Sequence, residues 1–147
     1  MENAPSMKMP VQLRWSDFDA NYHLRHSAYY DFGAMVRIEM FKAVGLTDKV
    51  FKQEGFGPIL FKEECVFRKE VGMYDSIFIT CELLHCKRNG ARFTIKHRLL
   101  KDDDSLVAEI TILGDWIDYN TRKLWHPLPF MTAFVEQMPK HPDFTYL

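Results

Sequence analysis

Glycine is sparse in these 147 residues, seven in all, and nowhere do glycines gather into a phosphate-cradling loop. Gly55-x-Gly57-Pro58 lacks the later glycines of a dinucleotide fingerprint and the strand that should precede it, which sets nucleotide-cofactor chemistry aside. A Gly-x-Ser-x-Gly nucleophile elbow is missing as well. Cysteine is limited to Cys65, Cys81 and Cys86, an odd number set in strand-like patterns. That usage fits reduced, packed thiols, and the spacing of Cys81 and Cys86 is too wide for a Cys-x-x-Cys zinc knuckle. No charge of one sign predominates: 19 basic against 20 acidic residues leave a net charge of -1. A global field for nucleic acid or an anionic membrane is therefore absent, and any anionic ligand has to be held by a local cluster. No apolar run approaches the length of a membrane span. The first ten residues lack the basic flank and apolar stretch of a secretory signal, so the chain is read as cytoplasmic.

What is present is apolar and aromatic. Hydrophobic residues make up 47% and aromatics 14% of the chain, enough for one domain with a true core, residues 1–147, supplemented by oligomerisation. Residues 8–14 alternate as a first strand, with Pro10 pointing to a strand start or an edge. From Ala28 to Val44 apolar residues recur at helical spacing and charges are few, which predicts a helix buried on most of its circumference. Ser27 is suited to cap it, Asp31 complements its positive end, and Gly45 stops it. Gly33, in mid-helix, costs about 1 kcal/mol against alanine and implies a close approach by a neighbour. Thr47 opens a short helical turn that ends in the breaker run Gly55-Phe56-Gly57-Pro58. Thereafter the period becomes two. Ile59, Phe61, Cys65, Phe67 and Val71 share an apolar phase that Glu63 joins. Strands follow from Ile77 to Leu83, from Phe93 to Leu99 and from Leu106 to Trp116, separated by turns at 72–75, at Asn89-Gly90 and at 101–105. A short helix closes at 131–138, residues 1–7 and 139–147 form flexible or extended ends, and the class is α+β: one antiparallel sheet, curved, wrapped around a long central helix. Its edge strands invite pairing with a second subunit.

Candidate chemistry concentrates between residues 14 and 26, where Asp17, Asp19, Asn21, His23 and His26 occupy ten positions just ahead of the helix. The His23-x-x-His26 pair has metal-ligand spacing but no following Glu and no third ligand, so hydrogen-bonded loop histidines are the better reading. The cysteines lack an electropositive partner and are placed in the core. Asp19 remains: a carboxylate just upstream of a helix start can attack, or activate water, while the first-turn N–H groups stabilise charge on a carbonyl oxygen. From the pattern alone, a loop-capping role for Asp19 outranks that chemistry.

The stretch Arg14-x-x-Asp17-x-Asp19-Ala20-Asn21-x-His23-Leu24-x-His26-x-x-Tyr29 resembles the acyl thioesterases of the hotdog fold. More narrowly it resembles the branch holding 4-hydroxybenzoyl-CoA thioesterase and the plant acyl-carrier-protein thioesterases, and the similarity runs over nearly the whole chain. The resemblance implies thioester hydrolysis on acyl-CoA or acyl-carrier-protein substrates, with no cofactor or metal, in a homodimer or homotetramer. It makes Asp19 the nucleophile or general base and the N–H of His26 the group that polarises the carbonyl. Asn21 and His23 match an Asn-x-His implicated in catalysis, and Glu63 matches a glutamate facing the helix. Relatives bind at a subunit interface, which would place Tyr29, Phe32 and Phe61 along an acyl tunnel and Lys87, Arg88 and Arg92 near nucleotide phosphates. A solvated face is the better reading of those three basic residues. Arg25-His26 stands where the family has Asn-Asn, and Tyr22 where it has glycine. A non-catalytic acyl-thioester binding or scaffold protein is the alternative, and a hotdog dehydratase, with its different motif, is third.

Overall fold

A computed structural model describes residues 7–147. The long helix is α1, Ala28–Val44, and it is followed by the short α2, Asp48–Glu54, capped by Thr47. Strands β1 (Met7–Val11), β2 (Phe56–Phe67), β3 (Ile77–Cys86), β4 (Phe93–Lys101), β5 (Leu106–Asp118) and β6 (Lys140–Tyr146) form one sheet, with α3 at Met131–Gln137. The strand order is β1-β3-β4-β5-β2, antiparallel throughout, and β6 joins the edge of β3 in parallel. No helix among the described residues is long and apolar enough to cross a membrane.

The sheet curves around α1, whose inner side chains Ala28, Phe32, Val36, Met40 and Val44 are buried. They meet the apolar rows of the long strands, such as Ile79 and Cys81 on β3, Ile95 and Leu99 on β4, and Ile110 and Ile112 on β5. Every one of those rows keeps the period of two expected of strands that are covered on one face. At the far end of α1, aromatic rings close the core: Trp116 lies 5.0 Å from Phe93 and 5.6 Å from Phe56, and Phe56 stacks on Trp125 at 3.9 Å. The Trp116 indole N–H donates to the Gly90 carbonyl, so its one polar atom is satisfied in the core.

Three local expectations need correction. The first strand ends at Val11 rather than Arg14, because the next residues turn into a single 3-10 turn, Trp15–Asp17. Gly55, at φ 73, ends α2 as expected, but the strand that follows begins at Phe56 rather than Ile59. Pro58 is tolerated because β2 lies at the sheet edge, paired only with β5, and Gly57 leaves room for the Tyr119 side chain, whose hydroxyl an added Cβ would overlap. A β-bulge between Leu60 and Lys62 shifts the phase within β2. Pro58 and Leu60, then Glu63, Cys65 and Phe67, align with the helix-facing row of β5, while Ile59 and Phe61 fall out of it. Finally, of the two readings of the segment beyond Pro139 the extended one holds: it is a strand, held where Leu83 N–H donates to the Pro139 carbonyl and Leu147 N–H to that of Cys86. Residues 1–6 lie outside the described residues.

Gly114 on β5 faces the bulge. An added Cβ there would come within 2.7 Å of the Ile59 carbonyl oxygen and 2.6 Å of the Phe93 ring. A backbone atom cannot rotate away, so Gly114→Ala should lower the unfolding free energy by about 1–3 kcal/mol in a urea melt. An unchanged midpoint would show that the two strands part there at no cost.

Candidate active site

The loop from Arg14 to Ser27 is built on Asp17, which is wholly buried. Its carboxylate accepts from the Arg14 backbone N–H at 2.9 Å and from Arg14 Nη2 at 2.8 Å, with Arg25 Nη2 3.7 Å away. Burial alone would push this carboxyl up, but the hydrogen bonds of Arg14 and the charges of Arg14 and Arg25 outweigh it and hold Asp17 below the usual carboxylate range. The Asp17 carbonyl in turn accepts from Arg25 N–H, and Phe18 pairs with Leu24. The loop is thus a small closed hairpin, and Leu24 N–H ties it to the carbonyl of Val71 just beyond β2.

At its tip sits Asp19, exposed. Asp19 Oδ1 accepts from the N–H groups of Asn21 at 2.9 Å and His23 at 3.2 Å, whereas Oδ2 has no protein partner among the described residues. Tyr22, standing where a glycine was expected, is held at φ 62, left-handed backbone that costs a side chain about 1–2 kcal/mol. The ring of His23 lies 3.2 Å from Glu70 Oε2, and the Asn21 side chain is exposed. Ser27 does not cap α1: its backbone is helical and its hydroxyl accepts from Arg25 Nη1. In consequence α1 has no side-chain cap, and the N–H groups of His26 and Ser27 have no protein acceptor among the described residues. Free donors at a positive helix end and a half-free carboxylate earlier in the same closed loop are groups that addition to a carbonyl can use.

The other candidates divide. Tyr29 is buried, its ring edge-on to Phe67 at 5.0 Å. Desolvation pushes its hydroxyl up to about 12, so it remains a neutral phenol. Phe32 is buried on the β1 side of α1, against a second cavity of about 600 Å³. Phe61 is exposed in the bulge, and Glu63 is exposed on the helix side of β2. Lys87, Arg88 and Arg92 are exposed at the β3–β4 turn, with Arg88 over the Tyr146 ring. Val11 pairs with Ile77 at the opposite end of β3, about 30 Å away at ~3.3 Å per residue, so one chain does not bring these bases to its own loop. Two groups that sequence reasoning passed over are Arg14 and Arg25, the partners of Asp17. Two more are Arg37 and His97, bonded to each other inside the core at 3.0 Å.

The sequence model of the thioesterase-like superfamily matches residues 13–144, from the loop to the end of the sheet. The chain belongs to that superfamily. Its architecture is that of hotdog-fold thioesterase structures. The Staphylococcus aureus protein SAV2348, solved in complex with CoA, superposes with a TM-score of 0.85 over 100% of this chain and 92% of its own, at 15% identity. The DHNA-CoA thioesterase of the same organism gives 0.79 over 89% of each chain at 12% identity. Slr0204, a 1,4-dihydroxy-2-naphthoyl-CoA thioesterase from Synechocystis, gives 0.75 at 15% identity, covering 90% of this chain and 97% of its own. At such identities the superposition establishes fold alone. No curated protein matches the chain in sequence.

Because the folded-state pKa of Asp17 is depressed, its ionised form stabilises the fold above the unfolded value near 3.8, and that contribution is lost as pH falls through the lower folded value. Asp17→Asn should therefore cost about 1–3 kcal/mol at pH 7, with the gap to wild type closing below pH 3.8 in denaturant melts. A gap independent of pH would contradict the ionised clamp.

Proposed function

We propose that the protein hydrolyses acyl thioesters, of CoA or of an acyl carrier protein, at the loop that opens α1. What supports this most is the juxtaposition, within a thioesterase-like chain, of a carboxylate with one oxygen fixed and the other free and a helix start whose donors are uncapped. Asp19 takes a proton from water as the water oxygen adds to the thioester carbon, or attacks that carbon directly. The His26 N–H receives the oxygen that gains charge. Collapse of the adduct breaks the C–S bond, the thiolate leaves and is protonated, and in the direct-attack route water then cleaves the acyl-aspartyl anhydride to release the acid and restore Asp19. Asn21 and His23 shape the turn that aims Asp19.

The active form is a homo-oligomer. Strand β2 is a twelve-residue edge with Leu60, Phe61, Val66 and Phe67 each 39–50% exposed, a surface that a second copy would cover and that is a liability uncovered. In that assembly Lys87, Arg88 and Arg92, distant from their own loop, serve the loop of another chain. The CoA named in the SAV2348 complex and the CoA esters named for the two thioesterases are in keeping with a nucleotide-bearing substrate.

Thiol release should be measured over short, long and aromatic acyl-CoAs. Wild type is expected to turn over at least one class and Asp19→Asn to lose about 10²–10⁴-fold in kcat. Equal rates would discard the mechanism, and tight acyl-CoA binding without release would favour a binding protein on the same fold. Light scattering should find a dimer or larger, and Val66→Lys with Phe67→Lys should shift it toward monomer. A monomeric wild type would remove the role given to β2.

A further inference from the structure

Arg37 projects from the middle of α1 into the protein and is only 7% exposed, yet among the described residues no carboxylate forms an ion pair with it. One guanidinium nitrogen, Nη1, lies 3.0 Å from His97 Nε2, and His97 Nδ1 lies 3.0 Å from the Thr80 carbonyl. A guanidinium only donates and a carbonyl only accepts, which places the ring proton on Nδ1 and leaves Nε2 as acceptor. Burial, and then the charge of Arg37, push His97 down to about 3, so it stays neutral and does not balance the guanidinium. The pair fits because position 33 is glycine: an added Cβ would stand 3.3 Å from both Arg37 Nη1 and the His97 ring. Glu63, across on β2, is close enough to act on Arg37 through its field but not to bond it. His97 is the one protein hydrogen-bond partner of Arg37 among the described residues, and none of the other guanidinium nitrogens is both fully buried and unpartnered, so they reach solvent-accessible space.

Arg37 borders a cavity of about 360 Å³ between α1, α2 and β2. Apart from Arg37 and the rim residues Lys42 and Asp48, its walls are apolar, chiefly Phe41, Leu46, Phe51, Pro58, Leu60 and Phe93. The volume is at the small end of ligand pockets, about 300–1,000 Å³. A cationic fork at one end and hydrocarbon walls beyond it match a carboxylate on an alkyl chain, with the two oxygens on the guanidinium and the chain among the aromatic rings.

We propose that this cavity binds a medium-chain alkyl carboxylate with its head on Arg37, the chemical class that thioester hydrolysis would release. The site is independent of turnover, but naming its ligand as the product rests on the hydrolase reading above. Calorimetric titration of wild type with octanoate and with octanol, which has the same chain without the charge, tests it. Octanoate should bind at least tenfold more tightly than octanol, and Arg37→Met should erase the difference. Since Arg37→Met leaves His97 without its donor and can unfold the chain, Ile38→Trp, at an exposed wall position on α1, gives a second test by filling the cavity: octanoate affinity should drop tenfold or more. Equal affinity for octanoate and octanol, or octanoate binding unchanged in Ile38→Trp, would overturn the site. Octanoate should also bind Asp19→Asn as it binds wild type. A chain that binds octanoate but hydrolyses no thioester would refute the hydrolase reading and leave the site standing. Hydrolysis without octanoate binding would do the reverse.

Discussion

A buried carboxylate holds the functional end of this molecule together. Asp17 is taken out of water and repaid only by Arg14 and Arg25, and that exchange closes the loop on itself before α1 begins. Without it, Asp19 would be one more acidic residue on a mobile turn. With it, the Asp19 carboxylate is aimed by two backbone N–H groups, and Arg25 is drawn toward Ser27, whose hydroxyl is thereby kept from capping the helix. An uncapped helix start is a small loss of stability that leaves donors free for a ligand. Structure and chemistry meet in that trade.

The rest of the fold supplies a rigid wall for this loop. Four long strands present continuous apolar rows to one helix, and a cage of rings around Trp116 fills the far end. Irregularities appear where the sheet does something other than cover the helix. The bulge at Phe61 turns the edge strand, and with it an apolar stripe, toward the outside, and Gly114 gives the bulge room. The parallel β6 occupies the part of the β3 edge that β1 leaves open.

Much of this was legible in the chain. The period of 3.6 from Ala28 to Val44 and the period of two after Ile59 define the helix and the strands, because burial on one face imposes those spacings wherever it occurs. Gly33 also announced a close neighbour, and Arg37 and His97 are what it meets. Less was legible where a residue depends on a distant partner. Ser27 looks like a cap until Arg25 claims its hydroxyl. The alternation through Ile59 and Phe61 looks unbroken because a bulge leaves no mark in composition. Pro139 onward has no periodicity, since β6 touches β3 at only a few positions. His97 lay on the apolar phase of its strand with Phe93, Ile95 and Leu99, and a histidine there, opposite the one arginine in α1, was the signal for the buried pair. Asp19, Asn21, His23 and His26 lie together in the loop, where their chemistry is the proposal made above, while Lys87, Arg88 and Arg92 lie at the opposite end of β3.

The central claim is that a thioester oxygen is received by the first amide groups of α1 beside Asp19. A crystal structure of the protein with an acyl-CoA analogue whose sulphur is replaced by methylene, a ketone that cannot be cleaved, tests it directly. The account predicts the ketone oxygen about 2.7–3.1 Å from the His26 backbone nitrogen, with the carbonyl carbon facing Asp19 Oδ2. A ketone bound with its oxygen turned away from the helix start, or remote from the loop, would contradict it.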